Sequence, residues 1–174
     1  MRIAFMGTPD FAVSSLRKLE ASRHDVSLVV TQPDRPAGRG RRLRPPAVKA
    51  AAHNLGLPLE QHEDVNTDAF LRRLRELDPD VLVVVAFGQI LRPELLELPE
   101  RGAVNVHASL LPRFRGTAPI NWAIVNGEKE TGVTTMFMAP KVDAGEIILQ
   151  RKTPIHATDT AGTLSDRLAD MGAE

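Results

Sequence analysis

Asn105 and His107 are the two residues of this sequence best placed to do chemistry. On a β-strand, residues two apart share a face, so a side-chain amide and an imidazole at this spacing project side by side. The amide is a hydrogen-bond donor, and the imidazole can carry a proton near neutral pH. An equally simple reading leaves them as polar groups that cap the backbone at a strand end. Ser109 follows two residues later but lacks the G-x-S-x-G elbow that exposes a serine nucleophile.

The surrounding elements decide whether such a pair is useful. Ala103 to Val106 reads as a buried strand that breaks into a loop containing Pro112 and ending at Gly116. In an open parallel sheet, ligands bind beyond the carboxyl ends of the strands, which is where this pair falls. The preceding chain alternates strand and helix. Ile3 to Met6 predicts a strand, Phe11 to Leu19 a helix, and Val26 to Thr31 a strand. A helix is expected from Pro46 to Asn54, and a short strand at Leu57-Pro58-Leu59. An amphipathic helix follows from Thr67 to Leu77.

Val81 to Ala86 is an uninterrupted apolar run, as expected of a central parallel strand covered on both faces. Leu91 to Leu98 reads as a short helical piece. After the loop come a helix, Ala118 to Asn126, and two strands, Val133 to Met138 and Glu146 to Arg151. The last segment, Thr160 to Glu174, carries Leu164, Leu168 and Met171 at helical spacing. The pattern is that of an α/β domain with a mostly parallel sheet and a later, antiparallel extension.

Composition bounds the function. The 174 residues suit one domain with a real core. There is no cysteine, so disulfides and thiolate metal sites are excluded, and the five histidines show no helical metal spacing. We expect no metal. No run approaches the roughly 18 apolar residues of a membrane span, and the N-terminus reads as a first strand rather than a signal peptide. A cytoplasmic protein away from membranes is expected. The first turn, Gly7-Thr8-Pro9-Asp10-Phe11, lacks the later glycines of a dinucleotide fingerprint.

A formal charge of zero hides an asymmetry. From Pro33 to Lys49 six basic residues face one acid, Asp34, which leaves 16 basic and 21 acidic residues elsewhere. Arg35, Arg39, Arg41, Arg42 and Arg44, spaced by small residues, suit phosphates better than a core. Asp143-Ala144-Gly145, between two strands, is on its own ordinary turn chemistry.

Taken together, these residues resemble a known signature. Asn105-x-His107-x-Ser109-Leu110-Leu111-Pro112, then Arg115-Gly116 and Asp143-Ala144-Gly145, is similar to the pattern of formyltransferases that use 10-formyltetrahydrofolate. Gly7 to Phe11, Thr31 to Gly40 and Arg115 to Ile120 resemble the branch of that family that acts on initiator methionyl-tRNA. The resemblance runs from Arg2 to Leu168. Relatives acting on sugar nucleotides usually lack the insertion of residues 34 to 44 and tend to carry a base where Thr117 stands. Purine-pathway relatives share Asn, His and Asp but not the surrounding words.

The resemblance implies a Rossmann-like formyltransferase fold with helices on both faces. It implies an enzyme that moves the formyl group of 10-formyltetrahydrofolate to the α-amine of the methionyl-tRNA, and we expect a monomer. Asn105 and a protonated His107 would hold the tetrahedral oxyanion, and Asp143 would lie against His107 and help manage the amine proton. Ser109, Leu110, Leu111 and Pro112 would line the folate side, with Phe87, Gly88, Gln89, Ile90 and Leu91 as a wall of its pocket. The arginines at 35, 39, 41, 42 and 44 would meet tRNA. The family continues into a C-terminal β-barrel, so residues 1 to 174 are expected to be the catalytic domain alone. The alternatives are an amino-sugar-nucleotide formyltransferase and an RNA-binding module without catalysis.

Overall fold

The computed structural model describes residues 1–37 and 42–174. Its elements, in chain order, are β1 (Arg2–Gly7), α1 (Asp10–Glu20), β2 (Asp25–Thr31), β3 (Arg35–Ala37), β4 (Arg42–Arg44), α2 (Ala47–Asn54), β5 (Leu59–Gln61) and α3 (Asp68–Leu77). They continue with β6 (Val81–Val85), α4 (Pro93–Leu96), β7 (Ala103–His107), α5 (Pro119–Val125), β8 (Glu130–Phe137), β9 (Ile147–Pro154) and α6 (Ala161–Ala173).

Seven strands form one sheet in the order β5-β2-β1-β6-β7-β8-β9. The apolar run at Val81 is the central strand, as its lack of polar residues requires. The first five strands in that order pair in parallel, β8 adds antiparallel to β7, and β9 adds antiparallel to β8. Alternation along β1 serves two cores. Ala4 and Met6 pack with Phe70, Leu71 and Leu74 of α3 and Leu95 of α4, whereas Phe5 packs with Leu16 of α1 and Val48 of α2. Helices therefore cover both faces.

The chain winds outward from β1 to β2 and β5, then returns to β6 and continues to β7 on the other side. The switch point lies between β1 and β6, beyond whose carboxyl ends a crevice opens. Gly7 at the end of β1 permits this crossing to be tight. A Cβ there would sit 2.8 Å from that of Ala12.

The C-terminal stripe is a helix, α6, in which Leu164 and Leu168 are fully buried. A capping box between Thr160 and Thr163 starts it. It packs against α1, and Ser14 Oγ donates to Asp170 at 2.9 Å.

Three local expectations shift. The short strand expected at 57–59 begins only at Leu59, because Pro58 has no N–H to place in a ladder. β8 and β9 are longer than the apolar runs that marked them, since ladder bonds continue through polar residues such as Thr131 and Lys152. The arginine-rich stretch holds an antiparallel pair, β3 with β4, that places Arg35 opposite Arg44. Strands of three residues leave no hydrophobic period to read.

Candidate active site

The strand expected at 103–106 is present and runs one residue further, to His107, so that both residues of the pair lie on it. Asn105 and His107 lie on β7, opposite Met136 and Thr134 of β8. His107 is buried, with 7% of its surface exposed. Its Nε2–H donates to the carbonyl oxygen of Phe114 at 2.9 Å, and its Nδ1 lies 3.5 Å from Asp143 Oδ2. Both ring nitrogens thus face oxygen acceptors. Only the doubly protonated imidazolium can donate to both. With Nε2 committed to the loop, Nδ1 is the ring nitrogen left to face Asp143.

Asp143 lies in the connection between β8 and β9, far in sequence but beside β7 in space. Gly116 N donates to its Oδ2 at 2.8 Å, and Arg115 Nε donates to its carbonyl oxygen at 2.8 Å. The segment 114–116 therefore grips both ionisable groups of the site. Asp143 has φ 48°, in the left-handed region, as do Ala86, Phe114 and Ala118. Each such non-glycine residue costs about 1 to 3 kcal/mol, and such strain persists where the surroundings hold it. Ala86, Ala118 and Asp143 line the same crevice, and the Phe114 carbonyl meets His107 beside it.

Two cavities meet there. The first, of about 150 Å³, is mostly apolar, lined by Phe87, Ile90, Leu91, Met138, Pro140 and Val142 among others. The second, of about 440 Å³, is lined by His107, Phe11, Thr117, Ile120, Asn121 and Ser165 among others. Ala86, Asn105 and Asp143 belong to both. Asn105 thus stands in the wall between an apolar slot and a larger chamber. That arrangement suits two reactants approaching one point from opposite sides.

Of the residues expected to form a wall of the folate pocket, Phe87, Gln89, Ile90 and Leu91 line the slot, and Gly88 lines the chamber. Gln89 also pins its loop, its Oε1 accepting from Val65 N and its Nε2 donating to His62 O. Ser109, Leu110, Leu111 and Pro112 line neither cavity. Ser109 is fully buried, and its Oγ donates to Arg113 O at 2.6 Å. Leu111 is buried, with its N–H bonded to Thr134 Oγ1, and Pro112 is exposed.

Several contributors escaped sequence reasoning. Thr134, completely buried, donates to Ser109 O at 2.6 Å and accepts from Leu111 N and Gln150 Nε2. It ties the loop after β7 to β8. The carbonyl of Phe114 is a backbone group that no side-chain pattern announces. Val142 and Pro140 carried a signal in their position just before Asp143.

The basic hairpin adjoins the site. Gln32 Oε1 accepts from Arg35 Nη2 at 3.3 Å, while Gln32 Nε2 donates to Phe87 O at 3.4 Å. Thr8 Oγ1 donates to the same carbonyl at 2.8 Å. Lys49 is matched locally, its Nζ 2.8 Å from Asp34 Oδ1. Hydrogen bonds from Lys49 and Gln61 hold the Asp34 carboxyl below its usual range. Arg35 and Arg44 are exposed, Arg42 belongs to β4, and Arg39 and Arg41 lie outside the described residues. Among the described residues no group of three His, Asp or Glu side chains gathers as a metal site, and no helix is long and apolar enough to cross a membrane.

Comparison with known proteins agrees with this fold. The methionyl-tRNA formyltransferase of Moorella thermoacetica is 60% identical over 173 residues, covering 99% of this chain and 56% of that protein. That of Pelotomaculum thermopropionicum is 56% identical, covering 99% of this chain and 55% of the other. The chain thus spans just over half the length of these relatives. Among solved structures, glycinamide ribonucleotide transformylase 1 from Symbiobacterium toebii superposes with a TM-score of 0.80 at 21% identity, over 99% of this chain and 82% of that one. Phosphoribosylglycinamide formyltransferase from Anaplasma phagocytophilum does so with a TM-score of 0.80 at 25% identity, over 99% and 81%. The family model described as formyl transferase matches residues 1–174. A match of that extent, on a fold those structures share, means that the chain belongs to the formyl transferase family.

Proposed function

We propose that this chain transfers the formyl group of 10-formyltetrahydrofolate to the α-amine of initiator methionyl-tRNA. The observation that carries the reading is the meeting of two cavities at Asn105 and Asp143, with His107 on the wall of the larger one. The identity to relatives named methionyl-tRNA formyltransferase supports that acceptor.

The apolar slot suits a flat heterocycle, and the chamber admits the aminoacyl end. Attack of the amine on the formyl carbon places negative charge on the formyl oxygen. The Asn105 side-chain N–H and the His107 Nδ1–H are the donors for that charge. Such donors act strongly because the fold aims them before the reaction begins. Phe114 O fixes the ring plane by holding Nε2–H. Asp143, facing Nδ1, balances the imidazolium and takes part in removing the amine proton, through water. We place Ser109 to Pro112 at the folate on the resemblance alone. The arginines of the 35–44 stretch would meet tRNA phosphates, in a cytoplasmic monomer.

Incubation with 10-formyltetrahydrofolate and charged initiator tRNA should yield formylmethionyl-tRNA. If the chain instead formylates glycinamide ribonucleotide or an amino-sugar nucleotide and leaves the charged tRNA unmodified, the acceptor is misassigned. Binding of RNA without folate binding would leave only an RNA-binding module.

A further inference from the structure

Asp143 lies in a connection and in a left-handed conformation, with no strand or helix of its own to hold it. Something outside the connection must hold it. Two contacts do so besides His107, and both come from neighbouring residues of one loop. Gly116 N holds the carboxylate oxygen Oδ2, and Arg115 Nε holds the backbone carbonyl. The carbonyl bond sets the orientation of the peptide that follows Asp143. The other side of the turn is fixed by Gly145, where a Cβ would lie 1.8 Å from Phe137 O. The same loop offers Phe114 O to His107.

We propose that Arg115 is a positioning residue for the reaction. Its Nε–H keeps Asp143 in the left-handed conformation in which the carboxylate faces His107 Nδ1. Arg115 is exposed, and among the described residues no carboxylate lies within ion-pair distance of it. Burial of its stem and an ion pair therefore do not account for its placement. Its neighbour Arg113 differs, being paired with Glu128. A guanidinium is suited to this task because Nε–H is directed rigidly within its plane. Loss of the bond frees the peptide to rotate and lets the carboxylate swing from the imidazole, while the other residues lining the two cavities keep their places. This role rests on the proposed formyl transfer, because it acts through Asp143.

The test is a double-mutant cycle with Arg115→Met and Asp143→Asn, read as kcat and as KM for each substrate. Arg115→Met should lower kcat about 10- to 100-fold, as expected for a misplaced catalytic group. Both KM values should stay within about threefold, because uniform binding is untouched. In the Asp143→Asn background the same change should cost almost nothing, since the two residues act as a unit. Arg115→Lys, which keeps a donor on a flexible stem, should recover part of the rate, and serves if the Met variant folds poorly. Equal losses in both backgrounds would overturn the proposal, as would an unchanged kcat or a loss confined to KM for tRNA. If the unmodified chain forms no product with tRNA, the acceptor assignment fails, and imidazole nitrogen NMR of His107 decides the positioning separately. Arg115→Met should then move the His107 resonances as Asp143→Asn does; unmoved resonances would overturn it.

Discussion

His107 and Asp143 face each other with Nδ1 3.5 Å from Oδ2, and residues 114–116 anchor both, His107 through Nε2 and Asp143 through Oδ2 and its carbonyl oxygen. The separation is looser than a short charge-assisted hydrogen bond. Room is left for the pair to meet a reacting group without first breaking a strong contact. The burial of both side chains, 8% and 10% exposed, keeps that contact from being screened by bulk water.

Asn105→Ala should lower kcat by about 100- to 1,000-fold, the usual cost of losing one oxyanion donor. The side chain lines cavities rather than the core, so the urea midpoint should move little. Steady-state kinetics and urea denaturation of the purified variant check both halves.

Arg42→Ala combined with Arg44→Ala should weaken tRNA binding and flatten its dependence on salt, because fewer counterions are released. Folate affinity should not change. Filter binding at several salt concentrations measures the slope, and an unaltered slope would reduce this hairpin to scaffold.

Thr134→Val should destabilise the fold by roughly 2 to 4 kcal/mol, since it strands partners of a buried hydroxyl. Ser109 O, Leu111 N and Gln150 Nε2 all lose a contact. Chemical denaturation gives the stability change directly.

Asp159 predicts an acid-labile C-terminal helix. Hydrogen bonds from Arg167 and then His156 N lower its carboxyl to about 2 from 3.8. A depressed carboxylate stabilises the fold above the unfolded value and loses that contribution as pH falls through the folded one. Stability should therefore drop between about pH 4 and pH 2. Asp159→Asn should be less stable than the parent at neutral pH and lose less over that interval. Thermal melts across the range provide the comparison.

How far the sequence could be read differs from element to element. Strand alternation was enough to put Asn105 and His107 on one face, and the apolar run at Val81 announced the central strand. The partnership of His107 with Asp143 was beyond local patterns, because it joins β7 to a connection 36 residues away in a turn that looks ordinary. Family resemblance supplied it, and the structure brings the two groups together. The β3–β4 pair left no trace, since three-residue ladders depend on backbone bonds alone. The roles of Phe114 O and Thr134 depend on tertiary approach. The Ser109 hydroxyl drew attention as a chemical group, yet in the fold it donates to Arg113 O inside its own loop.

Single-turnover transfer of labelled formyl from 10-formyltetrahydrofolate to initiator methionyl-tRNA, with the parent chain and His107→Ala, is the most direct measurement. Rapid formylation by the parent and a loss of at least about 100-fold in the folded variant are predicted. Near-parental transfer by His107→Ala would contradict the proposed role of the His107–Asp143 pair.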